Sequence, residues 1–463
     1  MERNRKSKLQ KAPCPHVLKG ILYLKPVFYS FIRMIHTYHK FFKLLEILPI
    51  DKIFYSCDKS HKGNGNEIMV SDLDILSRSH LSDALRVDAN HLQGSDFGER
   101  PLRQLIEQAC EVRDAYWGQT ITYSRKVFVP LTNMCRDTCG YCTFVKHPLS
   151  PEATILKPEE VLKMALKGQD NGCRELLFSL GEKPEQRYEE ARQALALLGY
   201  TKMTDYLHDM CDMVLNETTL LPHVNAGTLS EGELIRLREV SASMGMMLET
   251  VSRRLTRKGQ PHYACPDKTP IQRLRTLERA GQNSVAFTTG LLIGIGETFQ
   301  ERIDALVAIN DSHLRHGHVQ EVIIQNFQRK PDIEMANHPE PLLEDMLRTI
   351  AAARIILDPS ISIQAPPNLS KRHLAYLHAG INDWGGISPV TIDFINPQHL
   401  WPDIDRLAQS CNSAGFELKE RLTIYPEFQT HGNKFVGKKV RRRLNAIVGS
   451  DGLAKDQHVG SFE

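Results

Sequence analysis

The chain has 463 residues, 41% hydrophobic and 24% charged, a composition that excludes a disordered or fibrous polypeptide and leaves ample length for a large core. A formal net charge of +3 is too small to point to nucleic acid, and no run of about 20 apolar residues is present to span a bilayer. The ten cysteines are dispersed and no secretory signal accompanies them, which favours reduced thiols in the cytoplasm over a disulfide framework.

Residues 1–50 carry ten Lys or Arg against two Glu, while the remainder of the chain is mildly acidic. Residues 1–68 read as a basic extension and linker. The segment "GILYLKPVFYSFIRMIHTYHKFFKLLEILPI" fits an amphipathic membrane-surface helix, an organelle transit segment or a plain extension upstream of the true start. Pro26 argues against one continuous helix. "DKSHKGNGNE" (58–67) reads as a polar linker. Residues 69–120 show helical periodicity through Leu102, Leu105, Ile106, Ala109 and Cys110.

From residue 121 to residue 435 strand-like and helix-like stretches alternate. Apolar runs occur at "KVFVPLT" (126–132), "ELLFSLG" (175–181), "LLPHVNAG" (220–227), "MGMMLETV" (244–251), "SVAFTTGLLIG" (284–294), "EVIIQNF" (321–327) and "SISIQAP" (360–366). A last short strand is expected at "VTIDFI" (390–395). Stretches such as "KPEEVLKMALKGQDNG" and "TPIQRLRTLERAG" between them read as helices, the second stopping at Gly281. Repeated strand–helix units imply a parallel sheet with helices outside, and about eight of them fit a closed (β/α)8 barrel whose chemistry sits on loops after the strands. Residues 436–463, with "KKVRRR", read as a solvated basic tail.

Directly after the first strand lies "NMCRDTCGYC" (133–142), with Cys135, Cys139 and Cys142 spaced C-x3-C-x2-C. Thiolates this close suit zinc or an iron–sulfur cluster. A closed zinc site needs a fourth ligand, for which His147 is the candidate. Three ligands on a four-iron cubane leave one iron open. Cys14, Cys57, Cys110, Cys173, Cys211, Cys265 and Cys411 stand alone and read as core or surface thiols.

The triad, with Tyr141 before its last cysteine, resembles the radical S-adenosylmethionine superfamily. The resemblance implies a 4Fe–4S cluster held by Cys135, Cys139 and Cys142, with S-adenosylmethionine chelating the open iron. It also implies sites for that cosubstrate: Tyr141, Gly181 and Glu182 of "SLGEKPE", Gly290, Gly294 and Gly296 of "TTGLLIGIGET", and Glu249 and Arg254. Leu180 stands where the superfamily's GGE-type motif has its first glycine. Gly294-Ile295-Gly296 is not a dinucleotide fingerprint, because Phe299 fills the last glycine position.

Longer segments, "TYSRKVFVPLTNMCRDTCGYCTF", "FSLGEKPEQRY", "EVIIQNFQRKPD", "QAPPNL" and "GINDWGGISPVTIDFINP", resemble the G-type subunits of FO synthase, which make 7,8-didemethyl-8-hydroxy-5-deazariboflavin (FO). The likeness runs from about residue 100 to about residue 430. It implies a lyase that takes a hydroxybenzyl–ribityluracil adduct made by an H-type partner, uses an external one-electron donor, and releases ammonia as the deazaflavin ring closes. Amides at strand ends suit the uracil edge and ribityl hydroxyls, so Asn225, Gln325, Asn326, Gln364, Asn368, Asn382, Asp383 and Trp384 are substrate candidates, with His223 and Tyr263 available for proton transfer. The alternatives are an H-type component, a biotin-synthase-like enzyme, or a zinc-binding interaction module.

Overall fold

The computed structural model describes residues 93–430 and 434–455. The basic extension, the linker, Cys14 and Cys57 lie outside the described residues. The helix Leu102–Trp117 buries Leu105, Ala109 and Tyr116 on one face, as the i, i+4 spacing requires. It stops at Gly118, whose φ of 63° suits a residue without a side chain.

Nine strands follow: β1 Thr120–Thr132, β2 Glu175–Leu180, β3 Leu221–Asn225, β4 Ser243–Gly245, β5 Phe287–Ile293, β6 Val319–Asn326, β7 Ser362–Gln364, β8 Asp383–Ile387 and β9 Glu417–Glu420. Neighbours pair in parallel from β2 through β8, and β1 closes the ring by pairing with both β8 and β2. The result is an eight-stranded (β/α)8-type barrel. β9 joins outside it, against residues 120–123 at the start of β1. All seven residues of β5 are buried, because a barrel strand is covered by lumen contents on one face and helices on the other.

Two features differ from the sequence reading. The last barrel strand is Asp383–Ile387, not the apolar run at 390–395, which forms a loop. The strand "DWGGI" has polar and glycine residues where a hydrophobic alternation would have revealed it; a Cβ on Gly386 would sit 2.3 Å from the Lys126 side chain. The basic end is also not wholly solvated. Lys438–Ile447 forms a helix that buries Val440, Leu444 and Ile447 and leaves Lys438, Lys439 and Arg442 in water.

Polar groups at the base of the lumen are consumed in pairs. Lys126 bridges Glu175 at 2.7 Å, while Arg421 reaches Asp383 at 2.7 Å and Glu321 at 2.9 Å. Buried charges persist only when so matched. This end of the barrel is closed, which leaves the opposite end, after the strands' C-termini, for the loops.

Candidate active site

The three cysteines come together on one wall of a 250 Å³ cavity at that open end. Cys135 is buried, and its sulfur accepts N–H groups from Glu182 at 3.1 Å and Asp137 at 3.4 Å. Such donors favour a thiolate or a metal-bound sulfur. The triad loop is stitched to the end of β2 by Arg136 N–H on the Glu182 carbonyl at 2.9 Å. Gly181 is what permits this approach: a Cβ there would lie 2.0 Å from the Met134 carbonyl oxygen. Gly227 does the same for the carboxylate, since its Cβ would meet Glu182 at 2.2 Å, at a φ of +72°.

Glu182 faces the cavity and accepts from the Thr228 N–H at 2.5 Å and from Arg273 at 3.3 Å. Beside the triad Tyr141, Glu249, His262 and Lys268 form one buried network. The Tyr141 hydroxyl bonds Glu249 and lies 3.0 Å from His262 Nε2, and Lys268 pairs with Glu249. Burial would raise the Glu249 carboxyl, but Lys268, with His262 and Arg273, overrides it and holds Glu249 well below the usual carboxylate range. Burial pushes Asp137 up to about 6, and the nearby carboxylates of Glu182 and Asp267 push the same way.

Beneath this cavity, deeper in the lumen, lies a second of 190 Å³. The two share Ser179, Asn225, Met247, Gln325, Ile395 and Asn396 as wall residues. Lys126, Glu175, His223, Gln364 and Arg421 line the deeper one.

Of the residues singled out from sequence for the cosubstrate, Tyr141, Gly181, Glu182 and Glu249 line the upper cavity. Arg254 lies outside it, turned to Glu301 at 3.0 Å and the Gly296 carbonyl at 2.7 Å. Gly290 sits within β5, where a Cβ would strike the Ile323 carbonyl at 2.3 Å, and Gly294 and Gly296 form the turn beyond it with φ of +88° and +106°. These three glycines shape backbone and do not line either cavity. Cations that do line the upper cavity are Lys268, Arg273 and Lys330, none of which a linear motif had marked.

Among the substrate candidates, Asn225 and Gln325 face both cavities, Asn326 the upper and Gln364 the lower. The other four do not line them. Asn368 is engaged by Asp393 at 3.0 Å, and Asn382 holds Arg354 and the Ile363 N–H. Asp383 is spent on Arg421. Trp384 is fully buried, with its N–H on Cys411 Sγ at 3.3 Å. Tyr263 is 49% exposed. His147 is exposed, takes the Leu149 N–H at 3.3 Å and does not line the triad's cavity. Cys265 is not the isolated thiol its sequence position suggested, since its sulfur adjoins that of Cys139.

Residues 129–309 match the radical SAM superfamily. The chain is 49% identical over 314 residues to a 7,8-didemethyl-8-hydroxy-5-deazariboflavin synthase of Methanopyrus kandleri, covering 67% of this chain and 93% of the relative. It is 44% identical over 400 residues to the FO synthase of Mycobacterium tuberculosis, covering 82% of this chain but 47% of that protein, so it spans about half the length of such relatives. In fold it is similar to the FeFe-hydrogenase maturase of Carboxydothermus hydrogenoformans, with a TM-score of 0.59 at 18% identity over 81% of this chain and 90% of that one.

Proposed function

Because the chain belongs to the 7,8-didemethyl-8-hydroxy-5-deazariboflavin synthase family of radical SAM enzymes, we propose that it converts 5-amino-5-(4-hydroxybenzyl)-6-(D-ribitylimino)-5,6-dihydrouracil to FO with loss of ammonia. The chain is an enzyme of deazaflavin biosynthesis that uses a 4Fe–4S cluster and S-adenosylmethionine. When bound, these supply an electron and a carbon-centred radical. The residues present fit them: three thiols share one cavity wall, and N–H groups are aimed at Cys135.

In this reading Cys135, Cys139 and Cys142 hold the cluster. Glu182, seated by Gly181 and Gly227, receives the ammonium of the methionine moiety, and Lys268 and Arg273 offset its carboxylate. Tyr141 and Glu249 line the same cavity. The adduct occupies the deeper cavity, where Asn225, Gln325 and Gln364 offer amide donors and acceptors to its uracil edge and ribityl hydroxyls. The closed base of the lumen excludes water from the reacting carbon. An H-type enzyme supplies the adduct and an external one-electron donor supplies the electron. No helix among the described residues is long and apolar enough to cross a membrane, and a reducing cytoplasm suits the free thiols.

The observation that carries the substrate reading is that the thiol-walled cavity shares Ser179, Asn225, Met247, Gln325, Ile395 and Asn396 with a deeper one that presents amide and charged side chains. Anaerobically reconstituted enzyme, given the adduct, S-adenosylmethionine and a reductant, is expected to form fluorescent FO and 5′-deoxyadenosine together. Deoxyadenosine without FO would overturn the substrate. Cys139→Ala should bring iron down from about four per chain to background; retained S-adenosylmethionine cleavage would overturn the cluster assignment.

A further inference from the structure

The deeper cavity holds one titratable atom that the assignments above leave unused. His223 lies on β3 two residues before Asn225, so both side chains leave the strand on the same face, about 7 Å apart along it. Its Nδ1 is 2.7 Å from Ser243 Oγ and 3.3 Å from Thr423 Oγ1. Ser243 directs its hydroxyl to the Thr423 carbonyl at 2.9 Å. Ser243 Oγ also lies 2.7 Å from Thr423 Oγ1; with the Ser243 proton assigned to the Thr423 carbonyl, Nδ1–H donates to Ser243 and the lone pair sits on Nε2.

That nitrogen borders the cavity. Gly245, a wall residue of the same cavity, would place a Cβ 3.0 Å from Nε2, so the absence of a side chain keeps the approach open. The other ionisable wall groups are engaged: Lys126 with Glu175, Arg421 with Glu321, and Asp393 with Asn368 and the Ile395 and Asn396 N–H groups. Among the described residues lining this cavity, His223 Nε2 is the titratable atom with no hydrogen-bond partner.

We propose that His223 is the catalytic base for the ammonia-releasing step, taking a proton from the carbon next to the amine-bearing carbon and passing it to the departing nitrogen. The inference rests on the adduct being the substrate. In the step the C–H bond breaks and its electron pair becomes the new C=C bond. The C–N bond breaks, and the nitrogen leaves as ammonia with the proton from the imidazolium. No electron is gained or lost, so no further oxidant is required. Burial, reinforced by Lys126 and Arg421 and opposed by Glu175, lowers His223 to about 4. The ring therefore stays neutral at physiological pH, with a lone pair available to accept a proton.

The test uses full-length reconstituted enzyme with the hydroxybenzyl–ribityluracil adduct, following 5′-deoxyadenosine, FO and any product still carrying the amine by mass spectrometry. In His223→Gln, deoxyadenosine formation should stay near wild type while FO falls about a hundredfold or more, and a product heavier than FO by one ammonia accumulates. Gly245→Ala, which crowds Nε2 without removing it, should give the same signature more weakly and keeps the test open if the first variant does not fold. An unchanged ratio of FO to deoxyadenosine in both variants would overturn the proposal. So would a parallel fall of both products with no amine-retaining species, which marks a structural role. Failure of the wild type itself to consume the adduct would instead remove the substrate reading on which the proposal stands.

Discussion

Cys265 Sγ lies 3.8 Å from Cys139 Sγ, bringing a thiol from the loop before the helix Pro270–Gln282 against the middle cysteine of the triad. The Cys265 S–H donates to Cys139, and this bond, aided by Lys268 and opposed by burial, lowers Cys139. A thiol so lowered, beside a second thiol, is prone to oxidation.

Cluster-free protein exposed to oxygen or oxidised glutathione should therefore form a Cys139–Cys265 disulfide, seen as a cross-linked peptide in non-reducing digests. Cys265→Ala should abolish that peptide while leaving iron uptake close to wild type. A cross-link from Cys135 or Cys142 in its place would contradict the geometry.

Gly227→Ala puts a methyl group 2.2 Å from the Glu182 carboxylate, at a backbone φ of +72°. Strain of this kind costs about 1–3 kcal/mol, and Glu182 must shift. Expected results are a lower thermal midpoint and at least about tenfold weaker S-adenosylmethionine binding, measured by calorimetry on reconstituted protein. Gly232→Ala, with nothing within 4 Å of its Cβ, should leave binding unchanged.

Arg421 closes the base of the barrel by bridging Asp383 and Glu321. Arg421→Met leaves those buried carboxylates unmatched and should cost about 3–5 kcal/mol, read as a drop in the urea midpoint. Arg103→Met, breaking an exposed pair with Glu107, should change the midpoint little.

Glu175 ties folding to acid. Burial opposes its ionisation, but Lys126, His223 and Arg421 prevail and bring it from 4.5 to about 2. A carboxyl depressed in the folded state contributes stability that is complete above the unfolded value and is lost as pH falls through the folded one. Denaturant titrations between about pH 4.5 and pH 2 should show stability falling with acid. Glu175→Gln should be less stable at neutral pH and flatter across that window; an equally steep slope would show that other carboxyls carry it.

The strand rhythm and the C-x3-C-x2-C spacing were legible in the chain because each is local. A buried parallel strand needs a short apolar run, and three thiols within eight residues of one loop can face one cavity. That Gly181 and Glu182 would reach the cavity was legible for a related reason, since they follow a strand that the rhythm had already placed. β8 was not, because its lumen face carries Asp383 and a glycine that makes room for Lys126, so no apolar alternation marks it. The fold turns Arg254 outward to Glu301, and brings to the cavity wall Lys268, from the turn before the helix Pro270–Gln282, and Arg273, from that helix. His262 meeting Tyr141, Cys265 meeting Cys139, and His223 held by Ser243 and Thr423 arise only when the sheet closes. Chemistry confined to one loop is written in the sequence, while contacts between strands and loops far apart in the chain depend on barrel register, which no short window of residues contains.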